Sequence, residues 1–152
     1  VEEDVACVMT AHVLVPAYDA DRPATLSPRV VDAILKRRLG YQGIVISDDL
    51  AMKAISATWS PRESMVAALE AGCDAVLLCD PKPGEQAEAL EAVIHAVESR
   101  RLPLSRVEDA LARAHRVKGR FLAQRDPAPA ALGDVLGCAE HQAVAEEMAA
   151  FR

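Results

Sequence analysis

The stretch Gly43–Asp49, with the sequence Gly-Ile-Val-Ile-Ser-Asp-Asp, decides the fold class of this chain. Its apolar residues form a continuous run, which is typical of a strand covered on both faces in a parallel sheet. Similar runs occur at Val5–Met9 and at Asp74–Cys79, and each run is followed by a polar segment and a helical pattern. This repeated order predicts an α/β fold with parallel strands and right-handed crossovers, either a doubly wound sheet or part of a (β/α)8 barrel.

Capping residues mark the ends of further predicted helices. The pair Ser27-Pro28 supplies a cap and a helix-starting proline, and Gly40 follows the same helix. Ser60–Glu63 forms a capping box with proline at the first helical position, and Gly72 ends that helix. Ser105–Glu108 has the pattern of a second capping box.

Two later helices are also predicted from apolar residues that recur at helical spacing. A last helix is predicted from about Ala139 to Phe151, after a proline-rich linker at Asp126–Ala130. We therefore predict one part at residues 1–125 and a second, the linker with its helix, at residues 126–152. The recurring positions are Ala87, Leu90, Ile94 and Val97 in one helix, and Val107, Leu111, Ala114, Lys118 (its stem only) and Phe121 in the other.

The composition excludes several classes of function. The chain has 152 residues, of which 51% are hydrophobic and 26% are charged, so it is long enough to bury one core. Its formal net charge is -6 and it has no Lys/Arg cluster, which argues against partners such as nucleic acid or an anionic membrane. No apolar run approaches the ~18 residues that a membrane-spanning helix needs.

The cysteine pattern does not indicate a metal site. Cys7, Cys73, Cys79 and Cys138 form no C-x-x-C pair, and none lies near a histidine at the spacing of metal ligands. Because Cys7 and Cys79 lie in predicted strands, we expect buried, reduced thiols in a cytosolic protein. The chain also has no G-x-G-x-x-G or G-x-x-x-x-G-K-[ST] motif, so we expect no cofactor.

Polar residues at the carboxyl ends of the predicted strands are the candidates for chemistry, because both architectures place their sites there. Asp48 and Asp49 directly follow a buried strand, where adjacent side chains point in different directions. One carboxylate can face the site while the other turns into the next loop. His12 ends the first strand, and its ring either binds substrate or is satisfied by a backbone carbonyl. Asp80 ends the third strand.

Several other residues have more ordinary explanations. Asp19 and Asp21 lie in a loop after the first strand, where they either form the rim of a cleft or are solvated. Trp59 is the single tryptophan, and a packing role explains it better than sugar stacking. The remaining histidines lie in predicted helices, where we expect solvated positions: His95, His115 and His141.

Several spaced blocks lie in order along the chain: Val8–Val13, Pro23–Ser27, Leu39–Met52, Ala71–Cys79 and Gly137–Gln142. Together they resemble the glycoside hydrolase family 3 β-N-acetylglucosaminidases, and most closely the bacterial enzymes of cell-wall (peptidoglycan) recycling. The Ser-Asp-Asp-Leu sequence within them differs from the β-glucosidases of the same family, which usually carry an aromatic residue after the first aspartate.

This resemblance implies a (β/α)8 barrel and hydrolysis with retention of the anomeric configuration. The family's nucleophile corresponds to Asp48, which would form a covalent glycosyl-enzyme with N-acetylglucosamine. We assign His12 and Met52 to the sugar pocket. The implied substrate is a muropeptide or oligosaccharide that contains N-acetylglucosamine, and the implied location is the cytoplasm.

One part of the family pattern is absent. The family's acid/base is a histidine paired with an aspartate, on a loop introduced by Lys-His-Phe-Pro-Gly-His-Gly, and this chain has no such motif. A complete barrel needs roughly 250 residues, so we expect this chain to be the C-terminal half of a catalytic domain, with strands six to eight. Its partner would be the missing N-terminal half, and the chain alone would be inactive.

Two alternatives remain open at this point. The first is a β-glucosidase or another exo-glycosidase of the same family. The second is a truncated, non-catalytic protein that binds a sugar or a partner.

Overall fold

The computed structural model describes residues 5–79, 82–122 and 136–151. The chain divides into two compact units, residues 1–122 and residues 123–152. The larger unit contains the sheet, and the smaller unit contains one described helix. Asp80 and the predicted linker at Asp126–Ala130 lie outside the described residues.

The predicted parallel strands are confirmed. Strands β1 (Cys7–Met9), β2 (Ile44–Asp49) and β3 (Ala75–Leu77) form one sheet in the order β1-β2-β3. Both pairings are parallel, with Cys7 opposite Ile44 and, on the other side, Ile46 opposite Ala75. All the carboxyl ends of these strands therefore lie at the same edge of the sheet.

Helices connect the strands. A short 3-10 helix and a π-helix precede β2, two α-helices lie between β2 and β3, and two more follow β3. The smaller unit holds the last described helix, α5. The bounds are Ala24–Leu26 (3-10 helix), Arg29–Arg38 (π-helix), α1 Lys53–Ser56, α2 Pro61–Ala71, α3 Pro83–Glu98, α4 Leu104–Leu122 and α5 Ala139–Ala149.

Three of the predicted helix boundaries are confirmed in detail. The Ser60 hydroxyl accepts a hydrogen bond from the Glu63 amide at 3.3 Å, and the Glu63 carboxylate accepts one from the Ser60 amide at 3.1 Å. Gly72 follows α2 with a φ of 116°, and Gly40 follows the π-helix with a φ of 67°. Both glycines have a left-handed backbone that residues with a Cβ rarely adopt.

The prediction of a second capping box at Ser105–Glu108 is wrong. Helix α4 begins at Leu104, so Ser105 lies inside the helix and does not cap it. Pro103 directly precedes this helix, and its carbonyl accepts a hydrogen bond from the Arg106 amide at 2.9 Å. The first turn therefore forms around Pro103, two residues before the predicted cap Ser105.

The two later helices form as predicted, but their buried faces differ from the apolar stripes that predicted them. In α3, Ala89 and Ala96 are buried, whereas Leu90 is 59% exposed and Ile94 is also exposed. Ala96 belongs to a second core cluster with Val66 of α2 and Leu102. The predicted Val97 packs against this cluster, whereas Leu90 and Ile94 remain on the surface of this chain.

The main core lies between β2 and the helices that flank it. It combines strand, loop and helix residues, and it also includes a buried thiol. Trp59 packs against this core, as the sequence predicted. The buried members are Leu26, Val31, Tyr41, Val45, Leu50, Ile55, Ala67, Ala68, Ala71 and Cys73.

Only one face of β1 is covered by the described residues. Val8 packs against the core, whereas its neighbours Cys7 and Met9 point to the other face and are exposed. The expectation of buried thiols is therefore wrong for Cys7, and it is also wrong for Cys79, which is exposed beyond β3. Cys73 is buried, and burial raises the pKa of its thiol to about 12.

A charged network lies at the amino ends of β2 and β3. Asp74 has a fully buried carboxylate that accepts hydrogen bonds from Lys36 at 2.6 Å, from Arg106 and from the Val45 amide at 3.0 Å. Burial lowers the pKa of Lys36, although Asp74 opposes this shift. Arg113 of α4 donates to the Tyr41 carbonyl at 3.0 Å, which ties that helix to the start of β2.

Within the described residues, no helix is long and apolar enough to cross a membrane.

Candidate active site

The residues predicted to carry chemistry meet at the carboxyl edge of the sheet. Thr10 follows β1 and donates its amide hydrogen to the Ile46 carbonyl at 2.9 Å, which extends the pairing of β1 with β2. His12 comes two residues later, and Asp48 and Asp49 are the last residues of β2. Because the strands are parallel, their carboxyl ends bring His12 close to Asp48 and Asp49, although the two strands are far apart in the sequence.

Asp49 uses its carboxylate to hold the backbone. Its Oδ1 accepts hydrogen bonds from the Ala51 amide and from the Cys79 amide, both at 2.9 Å. The first bond closes the turn after β2, and the second ties this turn to the chain after β3. This carboxylate is therefore a structural link between two strand ends.

Asp48 has a different environment. It follows Ile44 and Ile46 on the half-exposed face of β2, whereas Val45 and Ser47 point to the buried face. Its Oδ1 accepts a hydrogen bond from the Asp49 amide at 2.7 Å. Within the described residues, its Oδ2 has no hydrogen-bond partner and no cation lies within ion-pair distance. Asp48 therefore presents one carboxylate oxygen that the fold does not use.

The two adjacent aspartates point to opposite faces of β2, as the sequence predicted, and the Asp49 carboxylate is bonded into the next loop. Each carboxylate accepts through Oδ1, and neither Oδ2 has a hydrogen-bond partner among the described residues. They differ in what they hold, because Asp49 joins the turn after β2 to the chain after β3, whereas Asp48 accepts from the adjacent amide. The family resemblance assigns the nucleophile to Asp48, and that role stays a prediction.

His12 is half-buried and both of its ring nitrogens have partners. Nε2 lies 2.9 Å from the Asp49 carbonyl oxygen, and Nδ1 lies 2.9 Å from the Thr25 hydroxyl oxygen. A carbonyl oxygen only accepts, so Nε2 carries the proton and the Thr25 hydroxyl donates to Nδ1 in the neutral ring. The structure therefore shows the contact to a backbone carbonyl that was one of the two alternatives for this histidine.

Thr25 extends this contact into the interior. It is fully buried in the 3-10 helix, and its hydroxyl oxygen accepts a hydrogen bond from the Thr10 hydroxyl at 2.9 Å. The buried Cys73 thiol donates to the Thr25 carbonyl at 3.7 Å. Sequence reasoning missed the role of Thr25, although the residue lies in one of the blocks that carry the family resemblance.

The two aspartates of the loop after β1 have different environments. Asp19 is buried, so the expectation of a cleft rim or a solvated position is wrong for it. Its carboxylate accepts from the Ser27 hydroxyl at 2.6 Å and from the Asp21 and Arg22 amides at 3.1 and 3.2 Å. The Ser27 hydroxyl is the main cause that lowers the pKa of Asp19. Asp21 is exposed.

The remaining candidates lie further from the strand ends. Met52 is 45% exposed and directly precedes α1, three residues beyond Asp49. The other histidines are exposed on their helices, as predicted: His95, His115 and His141.

A cleft of about 400 Å³ lies at the opposite end of the sheet. Its lining includes Val5 and Gly43, which precede β1 and β2, together with Tyr41, Arg116 and Phe121. None of the carboxyl-edge residues lines this cleft, so it does not belong to the candidate site.

A comparison with known proteins agrees with this geometry. Residues 1–117 match the model of the glycosyl hydrolase family 3 N-terminal domain. The chain belongs to glycosyl hydrolase family 3. The family that the sequence blocks indicated is thereby confirmed, and within it the similar proteins are hexosaminidases.

Two curated relatives illustrate the match to this family. A β-hexosaminidase of Stenotrophomonas maltophilia (strain K279a) is 41% identical over 95 residues, which are 62% of this chain and 26% of the relative. A β-hexosaminidase of Bordetella pertussis is 51% identical over 74 residues, which are 49% of this chain and 21% of the relative. The matched segments are thus about a quarter of the length of these relatives.

Solved structures give the same result. A family 3 β-N-acetylglucosaminidase from Paenibacillus sp. str. FPU-7 superposes with a TM-score of 0.74 and 41% identity. It covers 78% of this chain, which corresponds to 23% of that protein. A β-N-acetylhexosaminidase from Beutenbergia cavernae gives a TM-score of 0.70 with 31% identity, over 78% of this chain and 35% of that one. The small parallel sheet and its helices match this family's N-terminal domain.

Proposed function

We propose that this chain is part of a retaining β-N-acetylhexosaminidase that removes terminal N-acetylglucosamine, with Asp48 as the nucleophile. The observation that carries the proposal is the difference between the two strand-end carboxylates. Asp49 uses Oδ1 to tie two strand ends together through two backbone amides, whereas Asp48 lies on the half-exposed face of β2 and, among the described residues, accepts from the adjacent amide alone. Similar proteins that are named β-hexosaminidases support the choice of sugar.

The reaction would proceed in two displacements. In the first, Asp48 Oδ2 attacks the anomeric carbon, the bond to the leaving-group oxygen breaks, and a covalent glycosyl-enzyme forms. The leaving-group oxygen receives its proton from the general acid. In the second, a water molecule loses a proton to the same group, now a base, and displaces Asp48 from the anomeric carbon. Two inversions restore the original configuration.

The hydrogen bond from the Asp49 amide suits this chemistry. It holds Asp48 Oδ1 at 2.7 Å and so fixes the carboxylate plane. The other oxygen then retains its lone pairs for the anomeric carbon.

The general acid/base would come from outside this chain. The sequence has no Lys-His-Phe-Pro-Gly-His-Gly motif, and the matched segments of the relatives are much shorter than the relatives themselves. We propose that further strands of a (β/α)8 barrel supply this group, with β1, β2 and β3 as the barrel's last three strands. Such a barrel would cover two exposed surfaces of this chain. One is formed by Cys7 and Met9 on one side of the sheet, and the other by Leu90 and Ile94 on α3.

His12 and Met52 would line the sugar pocket. Met52 has an exposed thioether just beyond the strand end, where it can contact an apolar face of the sugar. Because both ring nitrogens of His12 are bonded to Thr25 and Asp49, its contact with the sugar would use the carbon edge of the ring.

Peptidoglycan fragments are the proposed natural substrates, because the sequence blocks resemble the enzymes of cell-wall recycling. The proposed location is the cytoplasm. All four cysteines are free thiols, which suits a reducing compartment.

The proposal can be tested by labelling the nucleophile. We expect a mechanism-based fluoro-sugar derived from N-acetylglucosamine to modify the complete enzyme once, and peptide mass spectrometry to locate the label on Asp48. A label on Asp49 would overturn the assignment of the nucleophile. Asp21→Ala is a matched control, because Asp21 is an exposed carboxylate outside the site and its loss should leave labelling unchanged.

A panel of aryl glycosides tests the sugar. The hexosaminidase proposal predicts preferred cleavage of the β-N-acetylglucosaminide. Preferred cleavage of the β-glucoside would favour the alternative exo-glycosidase, and binding of sugars without cleavage of any member would favour a non-catalytic protein.

A further inference from the structure

A chain of hydrogen bonds runs from Thr10, just after β1, to the end of β2. The Thr10 hydroxyl donates to the Thr25 hydroxyl, Thr25 donates to His12 Nδ1, and His12 Nε2 donates to the Asp49 carbonyl, each at 2.9 Å. The Asp49 carbonyl at the end of this series can only accept, so Nε2 of His12 carries the proton. Nδ1 then accepts from Thr25, and Thr25 accepts from Thr10. Thr25 is the buried centre of this chain.

The Asp49 carbonyl selects the tautomer of His12, and the Thr25 hydroxyl supports that tautomer by donating to Nδ1. Since its oxygen already accepts from Thr10, its single proton is available for Nδ1. The opposite tautomer would place a proton between Nδ1 and Thr25, and it would turn the lone pair of Nε2 toward the lone pairs of the Asp49 carbonyl. The pair of threonines therefore favours the form that can bind Asp49.

His12 acts on the residue that orients the proposed nucleophile. Asp49 is held through its carbonyl by His12 and through its carboxylate by the Ala51 and Cys79 amides. Its own amide is the donor to Asp48 Oδ1. The position of the Asp49 backbone thus determines where the open oxygen of Asp48 points.

We propose that Thr25 is a positioning residue, which acts through the tautomer of His12 and the backbone of Asp49 to orient the Asp48 carboxylate. This inference rests on the proposed role of Asp48 as nucleophile. Thr25 itself is fully buried and does not contact a sugar, so its effect on the reaction would be entirely indirect.

The test is a pair of substitutions at Thr25 in the complete enzyme. Thr25→Val keeps the shape and removes the hydroxyl, whereas Thr25→Ser keeps the hydroxyl. We expect Thr25→Val to lower kcat by about 10-fold to 100-fold, the size of effect that a small misplacement of a reacting group produces. We expect KM for an aryl β-N-acetylglucosaminide to be unchanged, and Thr25→Ser to restore most of kcat.

Ser64→Ala is the matched control. Ser64 is an equally buried hydroxyl, but it donates to the Pro61 carbonyl inside α2, away from the strand ends. Its substitution should lower the unfolding temperature and leave kcat unchanged. If Thr25→Val does not fold, Thr25→Ala supplies a second hydroxyl-free variant that adds no bulk.

A spectroscopic measurement reports the tautomer directly. Nitrogen-15 NMR of the complete enzyme should show a protonated Nε2 and an unprotonated Nδ1 for His12, and this preference should weaken in Thr25→Val. A protonated Nδ1 in the unmodified enzyme would overturn the inference. A normal kcat in Thr25→Val, or an equal loss in Thr25→Ser, would also overturn it.

These outcomes are distinct from a failure of the proposed function. An unmodified enzyme that cleaves no glycoside, or that is labelled away from Asp48, would overturn the function and this inference together. An active, correctly labelled enzyme that is indifferent to the Thr25 hydroxyl would overturn the inference alone.

Discussion

Each end of the sheet has an aspartate whose carboxylate accepts hydrogen bonds, but the donors to these two carboxylates differ. At the amino end, the buried Asp74 carboxylate accepts from Lys36 and Arg106 and from a backbone amide. At the carboxyl end, the Asp48 carboxylate accepts one backbone amide and has an open oxygen. The two cations neutralise the charge of Asp74, whereas no cation of the described residues pairs with Asp48.

This difference separates stability from reactivity within one small sheet. A buried carboxylate with two cations is costly to disrupt, because removing it leaves the cations without compensation. A half-exposed carboxylate with an open oxygen gives little to the fold but can attack a substrate. The comparison therefore predicts that substitutions at the two ends affect different measurements.

The largest effect is expected at the carboxyl end. In the complete enzyme, Asp48→Ala should lower kcat by about 10⁴-fold or more, as the loss of a covalent nucleophile does. The unfolding temperature should stay close to that of the unmodified enzyme, since Asp48 accepts a single hydrogen bond within the part of the chain that the structure describes. Steady-state kinetics and a thermal melt measure both quantities, and near-normal turnover would remove Asp48 from the nucleophile's role.

The amino end should show the opposite result. Asp74→Asn should lower the free energy of unfolding by about 3 kcal/mol, because Lys36 and Arg106 would lose their shared anion in a buried site. Turnover per folded molecule should not change. Denaturant unfolding of the complete enzyme measures the loss.

Asp109→Asn is the control for this second prediction. Asp109 belongs to the same network, but its side chain is 45% exposed, so its loss should cost about 1 kcal/mol or less. Equal losses for the two substitutions would show that burial of Asp74 does not determine the strength of the network.

The smallest effect concerns the loop after β1. The Ser27 hydroxyl and the amides of Asp21 and Arg22 lower the pKa of Asp19, so the folded state favours its ionised form. This contribution to stability is present above the unfolded pKa and is lost as the pH falls through the lower, folded pKa. Asp19→Asn should therefore lower the unfolding temperature near neutral pH.

Unfolding measurements at acidic pH check the sign of this effect. Between about pH 5 and pH 2, the difference between Asp19→Asn and the unmodified enzyme should shrink as Asp19 becomes protonated. A difference that grows with acid would contradict the assignment of the lowered pKa to Asp19.

Local patterns predicted much of the fold. The three continuous apolar runs became the three strands, and the capping box at Ser60 and the glycine after α2 were found where the sequence placed them. Each of these signals depends on residues that are close in sequence. The boundary at Ser105 was wrong because Pro103 offered an earlier first turn.

Burial was harder to predict than secondary structure. Cys7 lies in a continuous apolar run, yet only one face of β1 is covered by the described chain. Leu90 and Ile94 have helical spacing but are exposed, whereas Ala96 of α3 is buried in a cluster with Val66 of α2. Periodicity identifies an amphipathic element, whereas the shape of its neighbour decides which residues it buries.

The sequence by itself determined the α/β order, the parallel strands and the arrival of His12, Asp48 and Asp49 at the same edge. The tertiary structure decided which groups bond there. His12 contacts Thr25, 13 residues away, and Asp49, 37 residues away, and Lys36 contacts Asp74 across 38 residues. Such partners depend on how crossovers return the chain to the sheet, which no local pattern records. For this reason only the folded chain showed that the Asp49 carboxylate joins two strand ends, whereas the Asp48 carboxylate accepts from its neighbouring amide.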